Sequence, residues 1–296
     1  MKQINLTTFR DKWNAYKHDP KSLLLFIAVC LAAAITLAAL AFVIIYILAK
    51  GVPYLTPELF QWEYNTENVS LMPALINTLY MAALSLLFAV PIGIFSAVYL
   101  NEYAKRGNKL VGVVRITTET LSGIPSIVYG LFGSLFFVKF VGFGLSLLSG
   151  ALTLSIMILP LIMRSTEEAL LAVPDSYREG SFGLGAGKLR TVFRIVLPSA
   201  VPGILSGVIL GIGRIVGESA ALIFTAGTVA EVADSVFSST RTLSVHMYSI
   251  STEGLYINQA YATAVVLLVV VIIINGLSSL VAKKLGGDKN LSLIHI

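Results

Sequence analysis

Six stretches of this chain are long and apolar enough to cross a bilayer: residues 22–49, 72–100, 110–138, 145–171, 198–225 and 259–282. A helix needs roughly 20 apolar residues to span the hydrocarbon core. In lipid each backbone N–H and C=O must be satisfied internally, so the expected fold is all-α, a polytopic membrane protein with six transmembrane helices. Composition agrees, with 56% hydrophobic and 12% charged residues, against about 25% charged in soluble domains. The apolar run at 22–49 is far longer than the about 7–15 residues of a signal-peptide core. It is expected to be a retained anchor. The boundary between the third and fourth stretches, at "FVGFGL", is the least sharply marked.

Lys and Arg alternate with the spans. The tail before the first carries Lys2, Arg10, Lys12, Lys17 and Lys21, and the loop after the second carries Lys105, Arg106 and Lys109. Arg178, Lys188, Arg190 and Arg194 follow the fourth, and Lys283, Lys284 and Lys289 follow the sixth. The intervening loops are poor in base: "GVPYLTPELFQWEYNTENVS" has none, and 226–258 has only Arg241. Positive charge stays on the cytoplasmic side, so both termini are expected in the cytoplasm. The net charge of +5 is explained by this topology and implies no nucleic-acid partner. The single cysteine, Cys30, excludes an intramolecular disulfide.

The loop "VPDSYREGSFGLGAGKLRTVFRIVLP" is the most informative. Ser176 and Glu179 have capping-box spacing, which predicts a short helix starting there. Gly183, Gly185, Gly187 and Lys188 superficially suggest a phosphate cradle, but Phe182 and Leu189 occupy positions where a P-loop needs Gly and Ser/Thr. No nucleotide site is readable. Phe182 and Leu184 would give such a short helix an apolar side in need of a partner.

"EGSFGLGAGKLRTVFRIVLP" resembles the EAA loop of ABC importer permeases, with Glu179, Gly185, Ile195, Leu197 and Pro198 at matching positions and Gly180 and Ser181 replacing the two alanines. "AVPIGIFSAVYLNEYAK", "TETLSGIPSIVYGLFG" and "GIGRIVGESAALIFTAG" resemble the phosphate-specific permeases of the PstA type. The resemblance implies a MetI-like permease fold and import of inorganic phosphate. It implies a second permease subunit forming a heterodimer, two ATP-binding subunits carrying ATP and Mg, and an external phosphate-binding protein. This chain itself would be a transport subunit in the bacterial plasma membrane, with no cofactor of its own. It would comprise a basic tail (1–21), a first anchor (22–49), a permease domain (72–282, with the coupling loop at about 174–198) and a C-terminal tail (283–296). Permeases for sulfate, molybdate or phosphonate are the nearest alternatives, and an ion-coupled carrier or channel is a more distant one. The final "LSLIHI" fits no pattern.

Within "GIGRIVGESAAL", Arg214 and Glu218 interrupt an apolar stretch. Gly203, Gly207 and Gly211 recur every four residues, the spacing that lets helix backbones approach closely. At about 100° per residue the two charges continue that stripe, facing protein or a cavity. As an i, i+4 pair they are expected to meet, either as a structural lock or as part of a substrate route. Arg115 with Glu119 and Arg164 with Glu168 share the spacing. Snorkelling accounts for Arg115, whereas the family resemblance places Arg164 on the phosphate route. A guanidinium suits phosphate through its fixed fork of donors, and a neighbouring carboxylate would weaken the site enough to permit release. Pro125 interrupts the third span, so Pro125, Ser126 and Tyr129 are candidate pathway-lining residues. Pro91 is expected to kink its helix. His246 lies in an expected external loop without neighbours at ligand spacing; neither a metal site nor a catalytic triad is expected.

Overall fold

The computed structural model describes residues 20–105 and 107–286, so most of the basic tail, Arg106 and the final "LSLIHI" lie outside the described residues. Two units are distinguished, one ending at Lys50 and the other beginning at Gly51. The first holds all but the last residue of α1 (Pro20–Gly51), whose apolar side chains, among them Leu24, Leu31, Ile35 and Phe42, are exposed. That is the surface a lone helix offers to lipid.

The second unit is helical throughout its membrane-length segments. α2 (Met72–Val98) runs on into a π-turn at Tyr99–Tyr103. Pro91 lies inside α2, which continues through it. α3 (Lys109–Ser122) and α4 (Ser126–Gly133), extended by a π-turn at Ser134–Phe140, make the third span. It is bent by 105°. The break is local chemistry: Ile124 precedes Pro125 and is disfavoured from helix, while Pro125 caps α4. The Tyr129 hydroxyl donates to the Leu121 carbonyl at 2.7 Å, which also accepts from the Ile124 N–H at 3.1 Å, at an elbow where Pro125 offers no N–H of its own. Among the described residues five helices are long and apolar enough to cross a membrane, or six spans if the bent pair counts as one.

α5 (Leu147–Leu171) starts where the Ser146 hydroxyl accepts from the Ser149 N–H. α6 (Asp175–Gly183) is the short helix expected in the coupling loop, but its start differs. Pro174 is the capping residue and no side chain caps the end. Ser176 therefore sits inside the first turn and the capping box is not formed. Proline pre-sets the backbone here, so the serine is not needed for that role. The C-terminal end follows the Schellman pattern: Ala186 N–H donates to Ser181 O and Gly185 N–H to Phe182 O. Gly185 has φ +82°, in the left-handed region that favours glycine.

The fifth span departs from expectation at both ends. It is helical from Lys188 through Val216, as α7 (Lys188–Thr191), a π-turn (Val192–Val196) and α8 (Leu197–Val216). The widened turn lies just ahead of Pro198, which lacks the N–H an α-turn would use. The helix stops at Gly217, eight residues before the expected end at 225. α9 (Ala220–Ile223), α10 (Leu243–Glu253) and α11 (Ile257–Gly286) complete the described chain.

Packing bears out the glycine stripe. A Cβ on Gly207 would lie 1.7 Å from Ser165 Oγ, and one on Gly203 would lie 2.6 Å from Ala169 Cβ. α8 thus lies directly against α5. Met81 and Ala89 of α2, Leu154, Ile158 and Ile162 of α5, and Ile215 of α8 share the main core. A second core joins Val98, Leu170, Val173, Val192 and Val196 beneath the coupling loop.

Residues 226–258 are more ordered than an external loop. Asn77, fully buried, donates to Glu231 O at 2.8 Å and accepts from Ala233 N at 3.0 Å. Thr78 Oγ1 accepts from Leu243 N at 2.8 Å, at the start of α10. His246 is buried on that helix, not isolated in a loop. It meets the Tyr64 ring edge-on at 6.1 Å, and the Arg241 guanidinium lies 4.5 Å from the same ring centre. Burial, and secondarily the Arg241 charge, push the His246 pKa down to about 3.

Candidate functional site: a charged cavity and a coupling loop

A cavity of about 570 Å³ opens between α2, α3, α5 and α8, with Arg115, Glu119, Arg164, Glu167, Glu168 and Arg214 in its wall. Helical spacing explains the cluster: Arg115 and Glu119 are one turn apart on α3, and Arg164 is followed a turn later by Glu167 and Glu168 on α5. Ala97 and Leu100 supply apolar wall from α2 and its π-turn.

The pairing inside the cavity is unequal. Arg164 Nε donates to Glu168 Oε1 at 2.9 Å, the i, i+4 pair expected from spacing. Arg115 passes over Glu119 and pairs with Glu167, 52 positions along the chain. Its charge is therefore part of the cavity, a role that spacing did not reveal. Among the described residues neither Arg214 nor Glu119 has an ion-pair partner. The Arg164 and Glu168 side chains remain 62% and 65% exposed. Charge at membrane depth does not face lipid cheaply, so this open side fits a second polypeptide or an aqueous route.

The expected Arg214–Glu218 pair is absent. Because α8 ends at Val216, the helical repeat does not carry Glu218 onto the stripe. Its carboxylate accepts from Ala221 N at 3.0 Å, and its own carbonyl accepts from Ser244 Oγ. Glu218, 9% exposed, holds the first turn of α9 and ties it to α10. Arg214 stands on the cavity wall without it. Pro125, Ser126 and Tyr129 form the elbow of the third span and are not on the cavity wall; the 5% exposed Tyr129 points its hydroxyl into that elbow.

The coupling loop forms a separate surface. Ser181 is buried and shares a 2.8 Å hydrogen bond with Thr191, which holds α6 against α7. This explains why a small residue stands there. Ile195 lies in the π-turn, and Leu197 and Pro198 begin α8. Glu179 and Gly180 are exposed. Phe182 is 46% exposed and Leu184 91%, an apolar tip left uncovered among the described residues. Among the described residues no group of three or more His, Cys, Asp or Glu side chains is arranged to hold a metal ion.

Residues 89–287 match the family described as "Binding-protein-dependent transport system inner membrane component". The chain is similar to the probable ABC transporter permease protein YqgI of Bacillus subtilis, 35% identical over 76% of this chain and 81% of that one. Similarity to the phosphate transport system permease protein PstA 1 of Mycobacterium tuberculosis reaches 42% identity over 52% of this chain. That match spans about half (50%) of the relative's length. Among solved structures, the MetNI methionine ABC transporter matches with a TM-score of 0.60 at 21% identity, over 73% of this chain and 94% of that one. A bacterial ABC transporter involved in import of alginate matches with a TM-score of 0.61 at 19% identity, over 91% of this chain and all (100%) of that one.

Proposed function

For a chain that belongs to the family of binding-protein-dependent transport inner-membrane components, we propose that it is one half of an ATP-driven importer passing inorganic phosphate into the cell. A subunit of this kind is a multi-pass plasma-membrane permease, a transport component and not an enzyme. The observation that supports the substrate reading is the cavity: three arginines in its wall, with Arg214 having no carboxylate partner among the described residues. A guanidinium presents donors in a fixed planar fork that matches phosphate oxygens. The two arginines already paired, Arg115 and Arg164, can exchange a carboxylate for the anion and back. Such exchange keeps binding weak enough for release. The similarity to a named phosphate permease supports phosphate over sulfate, molybdate or phosphonate.

The open side of the cavity supports a second, related permease subunit as the other wall. The exposed Phe182 and Leu184 support docking of an ATPase subunit, one for each permease chain, where ATP and Mg would be bound. A self-sufficient carrier or channel has no use for that tip. An external phosphate-binding protein would deliver the ion. The Lys and Arg distribution supports cytoplasmic termini.

The test is purification of the intact complex and its reconstitution into proteoliposomes. Phosphate accumulation that requires ATP and the binding protein, and that excess sulfate or molybdate leaves unchanged, is the expected result. Accumulation without an ATPase subunit in the complex would overturn the reading. In a Cys30→Ser background, cysteines at Trp62 and Phe237 should react with an impermeant thiol reagent from outside the cell; one at Lys105 should not.

A further inference from the structure

The coupling loop does not only present a tip outward; it also grips the membrane helices behind it. The Arg178 guanidinium on α6 donates to Glu102 Oε1 from Nη2 at 2.7 Å and from Nε at 3.3 Å. Glu102 belongs to the π-turn that ends α2. The same guanidinium donates to the Leu170 carbonyl at 3.0 Å, which also accepts from the Val173 N–H at 3.3 Å, and to the Val173 carbonyl at 2.8 Å, just beyond the end of α5. Its last contact is Asp175 on its own helix, at 3.2 Å. One rigid fork of donors thus joins the coupling helix, the end of α2 and the end of α5. Lys188, at the start of α7, adds a second grip on the same π-turn, 5.2 Å from the centre of the Tyr103 ring.

The burial separates this cluster from a surface ion pair. The Arg178 and Glu102 side chains are 15% and 8% exposed. A buried pair is a poor source of stability compared with apolar packing, but it fixes geometry through short, charge-assisted bonds. The two helices it ties are those whose other residues wall the cavity: Ala97 and Leu100 on the α2 side, Arg164 and Glu167 on α5.

We propose that Arg178 is a positioning residue for transport, a strut that makes α6, the α2 π-turn and the end of α5 move as one unit, so that displacement of the coupling helix reaches the cavity wall through Glu102. The proposal rests on the permease reading above.

The experiment uses the reconstituted complex and measures phosphate taken up per ATP hydrolysed. Glu102→Met removes the acceptor at similar volume, while Arg178 keeps its two carbonyls and Asp175. Phosphate per ATP should fall about tenfold or more, with ATP hydrolysis still stimulated by the binding protein. Glu102→Gln, which retains one neutral acceptor, should lie between Glu102→Met and the natural chain. An unchanged ratio in Glu102→Met would overturn the strut. So would hydrolysis and uptake falling in step, or loss of the assembled complex, since each is what a purely structural contact predicts. The natural complex tested in parallel separates the two claims: if it fails to accumulate phosphate, the permease reading fails, whatever the variants do.

Discussion

Two Arg–Glu clusters, one in the cavity and one behind the coupling loop, use the same functional groups to opposite ends. In the cavity Arg164 and Glu168 are more than half exposed, and each of Arg115 and Arg164 has a single carboxylate partner. Behind the loop, Arg178 and Glu102 are mostly buried and Arg178 also holds two backbone carbonyls. Exposed pairs contribute little to stability and exchange partners readily. Buried pairs are costly to break because the survivor is left charged and unpaired. The difference teaches that burial, and not the presence of opposite charges, decides whether a pair is free to exchange its partner or stands as a fixed joint.

The largest effect should come from the fixed joint. Arg178→Met leaves the buried Glu102 carboxylate with the neutral Asn101 amide in place of a guanidinium, and breaking such a pair costs about 3–5 kcal/mol. Thermal unfolding of the purified complex should show the loss, and Glu102→Met in the same chain should restore part of it. A stability matching the natural chain would erase the contrast.

In the cavity the damage should appear in transport. Arg214→Gln should cut phosphate uptake about a hundredfold, equivalent to about 2.7 kcal/mol, at unchanged subunit abundance. Arg214→Lys should recover only part, since an ammonium keeps the charge without the planar fork. Recovery of uptake by adding Glu218→Gln to Arg214→Gln would contradict the structure, because the Glu218 carboxylate accepts from the Ala221 N–H and does not pair with Arg214.

His246 extends the rule to a group in neither cluster. Its folded pKa of about 3 lies below the roughly 6.5 of an unfolded histidine. Between those values the unfolded chain takes up a proton that the folded chain refuses, so stability falls as pH falls. The loss is about 2 kcal/mol at pH 5, and below the folded pKa it grows no further. Tyr64, Arg241 and the Val69 backbone face the ring. His246→Phe should flatten the dependence of the unfolding temperature between pH 6.5 and 5; an equally steep decline would refute this origin.

The smallest effect belongs to the exposed pair. Arg164→Met should shift stability by less than about 1 kcal/mol. A larger shift in unfolding temperature would mean that the cavity pairs are joints too.

Hydropathy carried most of the fold, because a bilayer demands length and apolarity that local sequence states openly. The glycine stripe was equally legible, since close approach of α8 to α5 requires small residues at a fixed interval. Helix ends were less so. Nothing apolar changes at Gly217, yet α8 stops there, and with it goes the spacing argument that joined Arg214 to Glu218. The Tyr129 hydroxyl donates to a carbonyl at the elbow, a contact invisible until the bend exists. Partner choice across the chain was hidden for the same reason. Arg115 selects Glu167 over the nearer Glu119, and Arg178 reaches 76 positions back to Glu102; helical periodicity speaks only of neighbours three or four apart.

The widened turn at Val192–Val196 makes the number of residues between the coupling loop and the glycine stripe a structural quantity in its own right. A π-turn absorbs one residue beyond the α repeat. Deleting one residue there would let the helix close into ordinary α geometry with its two ends still in phase, whereas deleting one from the α turns on either side would rotate one end against the other by about 100°. Then either Gly203 and Gly207 leave Ser165 and Ala169, or α6 turns away from the end of α2. Point substitutions in this turn can be absorbed side chain by side chain. A change in residue count outside it cannot, and the turn acts as a clutch that keeps two separately built surfaces in register.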